Sequence, residues 1–209
     1  MAETPSLLDR VAAKFADNTS DHEMTIVRDD GLYRHLRFKA PRTSIYYFDL
    51  VTWPGYLAVV GDAGDWVFAR ASDMFEFFVP EGREGKTEIN PRYWSEKLVA
   101  PKSDAAETYS YEAFCQHVQE WFKEIADDLT PAEQADLGDA VNDRLLSPYL
   151  DAVHSEHEAH VLLRDFDHHG IRIGDSWEWS LRDYTFSFLW CCHAVVWGIS
   201  KYRTEAVTK

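Results

Sequence analysis

The sequence predicts an α+β fold: an N-terminal antiparallel β-meander of about five strands over residues 20–71, packed with a C-terminal helical layer over residues 72–205. Three observations carry this. β-prone runs separated by tight turns occupy the early chain, apolar residues at helical spacing occupy the rest, and residues 182–202 are apolar nearly all round. A helix of that last kind belongs in the middle of a domain, so Phe188, Val195 and Ile199 are expected to be buried. At 209 residues the chain is read as one α+β domain, 1–209, long enough to bury a core without a disulfide or metal staple.

The elements follow in order. Thr4-Pro5 opens a helix, since proline suits the first helical position, and Leu8, Val11 and Phe15 carry it to residue 16. Met24–Arg28 and Leu32–Phe38 flank Asp30-Gly31, a hairpin signal. The run Thr43–Trp53 is rich in β-branched and aromatic residues and ends at Pro54-Gly55. Tyr56–Val60 and Trp66–Arg70 are the remaining strands, joined through Gly61-Asp62-Ala63-Gly64-Asp65. Because a strand follows that segment, it reads as a hairpin turn; a phosphate loop would lead into a helix N-terminus.

Helices are expected next. Ser72 caps a short one containing Phe75 and Phe78, and Asn90-Pro91 opens another carrying Tyr93, Trp94 and Leu98; residues 99–109 read as a loop. Ser110 begins a longer helix with the stripe Phe114, Val118, Trp121, Phe122 and Ile125. Thr130-Pro131 begins the next, with Leu137, Val141 and Leu145. Ser155 and Glu158 form a capping box for a helix running to about Asp165, and Ile171–Ile173 is a short strand.

Composition excludes several functions. Acids outnumber bases 36 to 21, for a net charge of −15, and there is no basic run longer than two residues, so direct binding of nucleic acid is not expected. The apolar stretch Tyr184–Ile199 spans 16 residues, short of the roughly 20 a bilayer requires. No membrane association is expected, and a start bearing Glu3 and Asp9 does not resemble a signal peptide. Cys115 and the adjacent Cys191 and Cys192 fit a reducing compartment, so the expected location is the cytoplasm.

Candidate chemistry is sparse. His154, His157, His160, His168 and His169 lie among Glu156, Glu158, Asp165 and Asp167. Imidazole and carboxylate suit a divalent metal, and His154, His157 and His160 are the alternative ligand set. His157 and His160 stand three residues apart, however, where the zinc code on a helix requires four, so no metal and no cofactor is expected. Asp49, Asp62, Asp65 and Glu76 cluster in sequence around the sheet and would need to converge to do acid–base work. Cys115 and His117 point apart on a helix, and Cys191 and Cys192 act as small hydrophobes. Between Glu112 and Asp143 nine acids face one base, Lys123. Glu120, Glu124, Asp127, Asp128, Asp136 and Asp139 are therefore the candidate partner-binding residues, at spacings that line helix faces.

The string Tyr47-Phe48-Asp49-Leu50-Val51-Thr52-Trp53-Pro54-Gly55-Tyr56-Leu57 continues through Gly61-Asp62, Val67-Phe68, Asp73–Phe78, Ile89-Asn90-Pro91 and Tyr93-Trp94. Over residues 45–100 this resembles a family of bacteriophage- and prophage-encoded proteins of unknown function. The resemblance implies a phage or mobile-element origin, hence a host cytoplasm, and carries over no activity, ligand or catalytic residue. The resulting expectation is an acidic, non-enzymatic binding protein. It would inhibit a host function such as antiviral defence through contacts with a host protein, a basic nucleic-acid-binding one being the class that suits the charge. The alternative is a metal-dependent enzyme, or a binder of a nucleotide signal, using the histidine-rich segment or the sheet aspartates. Oligomeric state is left open.

Overall fold

The computed structural model describes residues 5–147 and 155–206. Contacts along the chain divide it into two compact units: unit 1 is Met1–Ala106 with Tyr184–Lys209, and unit 2 is Glu107–Asp183. In sequence order, α1 (Leu7–Thr19) leads into β1 (Glu23–Asp30), β2 (Tyr33–Lys39), β3 (Phe48–Trp53), β4 (Tyr56–Gly61) and β5 (Trp66–Ala69). Two short helices, α2 (Met74–Phe78) and α3 (Pro91–Ser95), precede β6 (Leu98–Ala100). After a 3-10 turn come β7 (Glu107–Tyr109), α4 (Tyr111–Ala126) and α5 (Pro131–Val141), which continues as a π-helical turn, Asn142–Leu146. α6 (Glu156–Asp165), β8 (Asp167–His168), β9 (Ile171–Arg172), β10 (Arg182–Tyr184) and α7 (Phe186–Ala206) complete the chain.

Unit 1 is built on a six-stranded antiparallel sheet in meander order, β1 to β6. The α+β class therefore holds, with one more strand than the sequence shows. β6 spans only three residues, too few to display an alternation. The sequence places Leu98 on the helix opened by Asn90-Pro91, but α3 ends at Ser95, and residues 99–100 fall in the stretch read as a loop. Register explains the burial pattern. Leu36, Leu50 and Val59 stand opposite one another and are fully buried, whereas the next row, Arg37, Asp49 and Val60, points to the other face. The strand expected over Thr43–Trp53 starts only at Phe48. Arg42 and Tyr46 adopt left-handed backbone (φ 64° and 56°), and the Tyr46 amide donates to Asp62 at 2.8 Å instead of to a neighbouring strand.

Helix α7 runs over the buried face of this sheet, and Phe188, Val195 and Ile199 have no exposed surface. It begins at Phe186, not 182. Residues 182–184 pair as a strand with β7, and Thr185 Oγ1 accepts the Phe188 amide at 3.1 Å as a cap. Two other starts also differ from the sequence reading. Ser6, with Asp9, forms the capping box of α1, while Thr4 lies outside the described residues. Asp73 rather than Ser72 caps α2, its carboxylate accepting the Phe75 amide at 2.9 Å.

Unit 2 has its own core, formed by Phe114, Val118 and Trp121 of α4, Leu137 and Val141 of α5, and Leu163 of α6. Ser110, Thr130 and Ser155 cap α4, α5 and α6 as the sequence predicts. Gly138 of α5 faces the Phe122 ring of α4, where a Cβ would stand at an ordinary packing distance of 3.5 Å. Among the described residues no helix is long and apolar enough to cross a membrane.

Candidate functional site

The acidic residues of α4 and α5 project outward. Phe114, Val118 and Trp121 turn one face of α4 into the core, which leaves Glu120, Glu124, Asp127 and Asp128 exposed at spacings of three and four along the opposite side. Asp139 is exposed on α5 in the same way. Two of these charges sit against the helix dipole. Asp127 is the C-cap of α4 and Asp128 follows it, whereas Asp139 lies a full turn or more before the end of its helix, because α5 runs on into the π-helical turn Asn142–Leu146 that carries Arg144. A carboxylate at the negative end of a helix dipole costs about 0.3–1 kcal/mol at low ionic strength.

Asp136 is exposed too, but its carboxylate is engaged. His168 Nε2 lies 2.8 Å from Asp136 Oδ2 and His169 Nε2 lies 3.4 Å from it. The hydrogen bond from His168 holds the Asp136 carboxyl below the usual carboxylate range. The two imidazoles reach one carboxylate because of the backbone between them. His168 ends β8, and His169 (φ 53°) and Gly170 (φ 86°) form the two-residue turn into β9. Neighbouring residues of a regular strand face opposite ways, so the left-handed reversal at His169 is what brings both rings to one side. The hairpin is pinned at its base: Arg144 Nη1 donates to the Asp167 carbonyl at 2.9 Å, and Asp167 accepts from the Gly170 amide and from Arg172. This is where the histidine-rich segment converges, and sequence spacing did not show it. The only local signal was a His-Gly pair at a turn position that asks for positive φ.

The other histidines of that segment lie elsewhere. His157 and His160 line a small cavity of about 230 Å³ with Ile173, Ser176 and the largely exposed Trp177. His160 Nδ1 is buried there without a hydrogen-bond partner. Among the described residues neither joins a third ligand, and His154 lies outside them.

The carboxylates around the sheet do not share a site, because each is held by its own partner. Asp62 accepts from the Tyr46 amide, Asp65 from the Gly61 amide, and Glu76 from Arg203. Asp49, nearly buried on β3, accepts from Arg37 Nε at 2.9 Å and Nη2 at 2.8 Å, and lies 2.8 Å from His35 Nε2. Burial alone would raise the Asp49 carboxyl, but the hydrogen bonds and charges of Arg37 and His35 outweigh it and hold the group below its usual range.

A larger, mostly apolar cavity of about 530 Å³ opens in unit 1 between α1 and α7, lined by Leu8, Phe15, Ile89, Val196, Trp197 and His193. His193 stacks on Phe15, and its Nε2 is buried without a partner. Burial pushes this imidazole below its ordinary pKa, against the opposing effect of a hydrogen bond to the Leu8 backbone. The three cysteines are unpaired, and burial pushes the Cys191 and Cys192 thiols far up, which suits packing and not nucleophilic chemistry. No family model, curated protein or solved structure matches this chain.

Proposed function

We propose that the protein is a non-enzymatic binding protein that engages a basic partner protein through the acidic surface of α4 and α5 and blocks its action. The observation that carries this is the placement of Asp127 and Asp128 at the negative end of α4, in rows with Glu120 and Glu124. Each placement costs folding stability through the dipole and through like-charge neighbours, at about 0.2–1 kcal/mol per charge, so solubility alone is a poor reason to keep them there. A negative field of this kind steers a positively charged surface toward itself and gives the encounter a steep salt dependence. The partner class is a protein with a basic groove, such as one that binds nucleic acid. On the sequence resemblance of residues 45–100 to phage-encoded proteins, that partner would be a host protein and the purpose inhibition of a host function such as antiviral defence.

The triple variant Glu124→Lys/Asp127→Lys/Asp128→Lys tests this. Capture of basic nucleic-acid-binding proteins from a host lysate, and any protection of phage, should be lost in the variant, while its melting temperature stays level or rises because dipole and repulsion penalties are removed. A variant that binds and protects as before ends the reading.

A second reading, a metal-dependent enzyme, is favoured by one observation only, the meeting of Asp136, His168 and His169.

A further inference from the structure

We infer that Asp136, His168 and His169 form a binding site for a single divalent transition-metal ion, zinc by preference, with one coordination position open to solvent. The geometry points to it in three ways. First, one carboxylate oxygen and two imidazole nitrogens, taken from α5 and from the β8–β9 turn, all lie within 4.8 Å of one another. Zinc held at about 2.0–2.1 Å by nitrogen and oxygen in a tetrahedron places neighbouring ligand atoms about 3.3 Å apart. The distance between His169 Nε2 and Asp136 Oδ2 is 3.4 Å. The shorter His168 contact, 2.8 Å, has hydrogen-bond length and lengthens by about half an ångström when a cation replaces the shared proton.

Second, the convergence is maintained against a backbone cost. His169 holds a left-handed conformation, which costs a residue with a Cβ about 1–2 kcal/mol relative to the right-handed one. Asparagine or aspartate is the usual occupant of that position in a two-residue hairpin turn. Histidine there turns the second ring onto the side of Asp136, with the two ring centroids 4.4 Å apart. Third, the ligands are held from behind. Arg144, in the π-helical turn that continues α5, donates to the Asp167 carbonyl at the base of the hairpin and lies over the Phe166 ring, tying the histidines to the helix that carries Asp136.

The donor set selects the ion. Two imidazoles with one carboxylate suit zinc and its transition-metal neighbours and not magnesium or calcium, which prefer oxygen. Three protein ligands leave the fourth tetrahedral position for water, the arrangement of sites where the metal is accessible to exogenous ligands. His169 and Asp136 are well exposed (78% and 60% of their side chains), so the ion would enter from solvent without a rearrangement of the core.

The test is a zinc titration of the chelator-stripped full chain by calorimetry, with elemental analysis after gel filtration. One zinc per chain is expected. His169→Asn keeps a residue suited to the left-handed turn, and Asp136→Asn keeps the shape at α5, so both variants should fold as the parent does, with zinc affinity lowered by at least the roughly tenfold that loss of a mere outer-shell partner costs. His157→Ala and His160→Ala should bind zinc as the parent does. Absence of zinc from the parent chain overturns the inference. So does undiminished binding in His169→Asn and Asp136→Asn, which would place the ion among other histidines.

Discussion

Gly198 of α7 lies directly against Leu50 of β3: a Cβ added to the glycine would stand 2.7 Å from Leu50 Cδ1 and 3.1 Å from Phe38 Cζ. Both neighbours are fully buried, so neither can swing away. Gly198→Ala gains about 1 kcal/mol of helix propensity. Overpacking of this kind costs about 1–3 kcal/mol, and the contact is with the centre of the core, so a net loss is expected. Thermal unfolding should show a melting temperature lowered by a few degrees, at about 2–4 °C per kcal/mol for a chain of this size. A raised melting temperature would mean that α7 stands farther from the sheet than the structure places it.

The Asp49 network makes a claim about acid. Asp49 has a lowered pKa in the folded protein, so its contribution is fully present above the unfolded value of about 3.9 and disappears as pH falls through the folded value. Asp49→Asn keeps the shape but not the charge that Arg37 and His35 address, and it should cost about 1–3 kcal/mol near neutral pH. The stability gap between parent and variant, from urea titrations, should close as pH drops below about 4. A gap that does not change with pH would remove the ionic part of the argument.

His193 makes a claim of the opposite protonation state. Its folded pKa lies below the unfolded value of about 6.5, so the unfolded chain takes up the proton first and stability falls as pH drops below that value. Asp9 and Glu88 are the charged residues that share its cavity. The loss of stability between about pH 6.5 and pH 5 should be smaller in His193→Gln than in the parent, because glutamine carries no titrating group. Parallel curves would show that the imidazole is as free to charge in the folded protein as in the unfolded one.

What the sequence showed and what it hid follow from the range of the physics involved. Ser110, Thr130 and Ser155 start helices through bonds to amides three residues on, so their signals are local and legible. Six strands in meander order were nearly legible, because hairpin turns such as Asp30-Gly31 join neighbours. β6 was missed because its pairing with β5 rests on contacts thirty residues back, with Val67 and Phe68. The apolar stripe of α4 and the all-round apolar character of α7 are both clear in sequence, yet one helix packs in the core of unit 2 and the other against the sheet of unit 1. A stripe records that a face is buried and says nothing of the surface that buries it. Asp136 stood in the acidic row by the same logic, since only the fold brings His168 and His169 to it.

The Thr185 amide donates to the Ala106 carbonyl at 2.8 Å, which closes unit 1 across the point where the sequence of unit 2 begins and ends. In genetic terms, residues 107–183 form a cassette. Inserting or deleting them requires a splice between two positions that are already hydrogen-bonded neighbours, and loop-closure entropy rises only slowly with the length inserted. All six strands of the sheet, and α7, belong to unit 1 and lie outside residues 107–183. The acidic helices and the histidine hairpin both fall within that one continuous stretch, so a single such splice would exchange or remove them together.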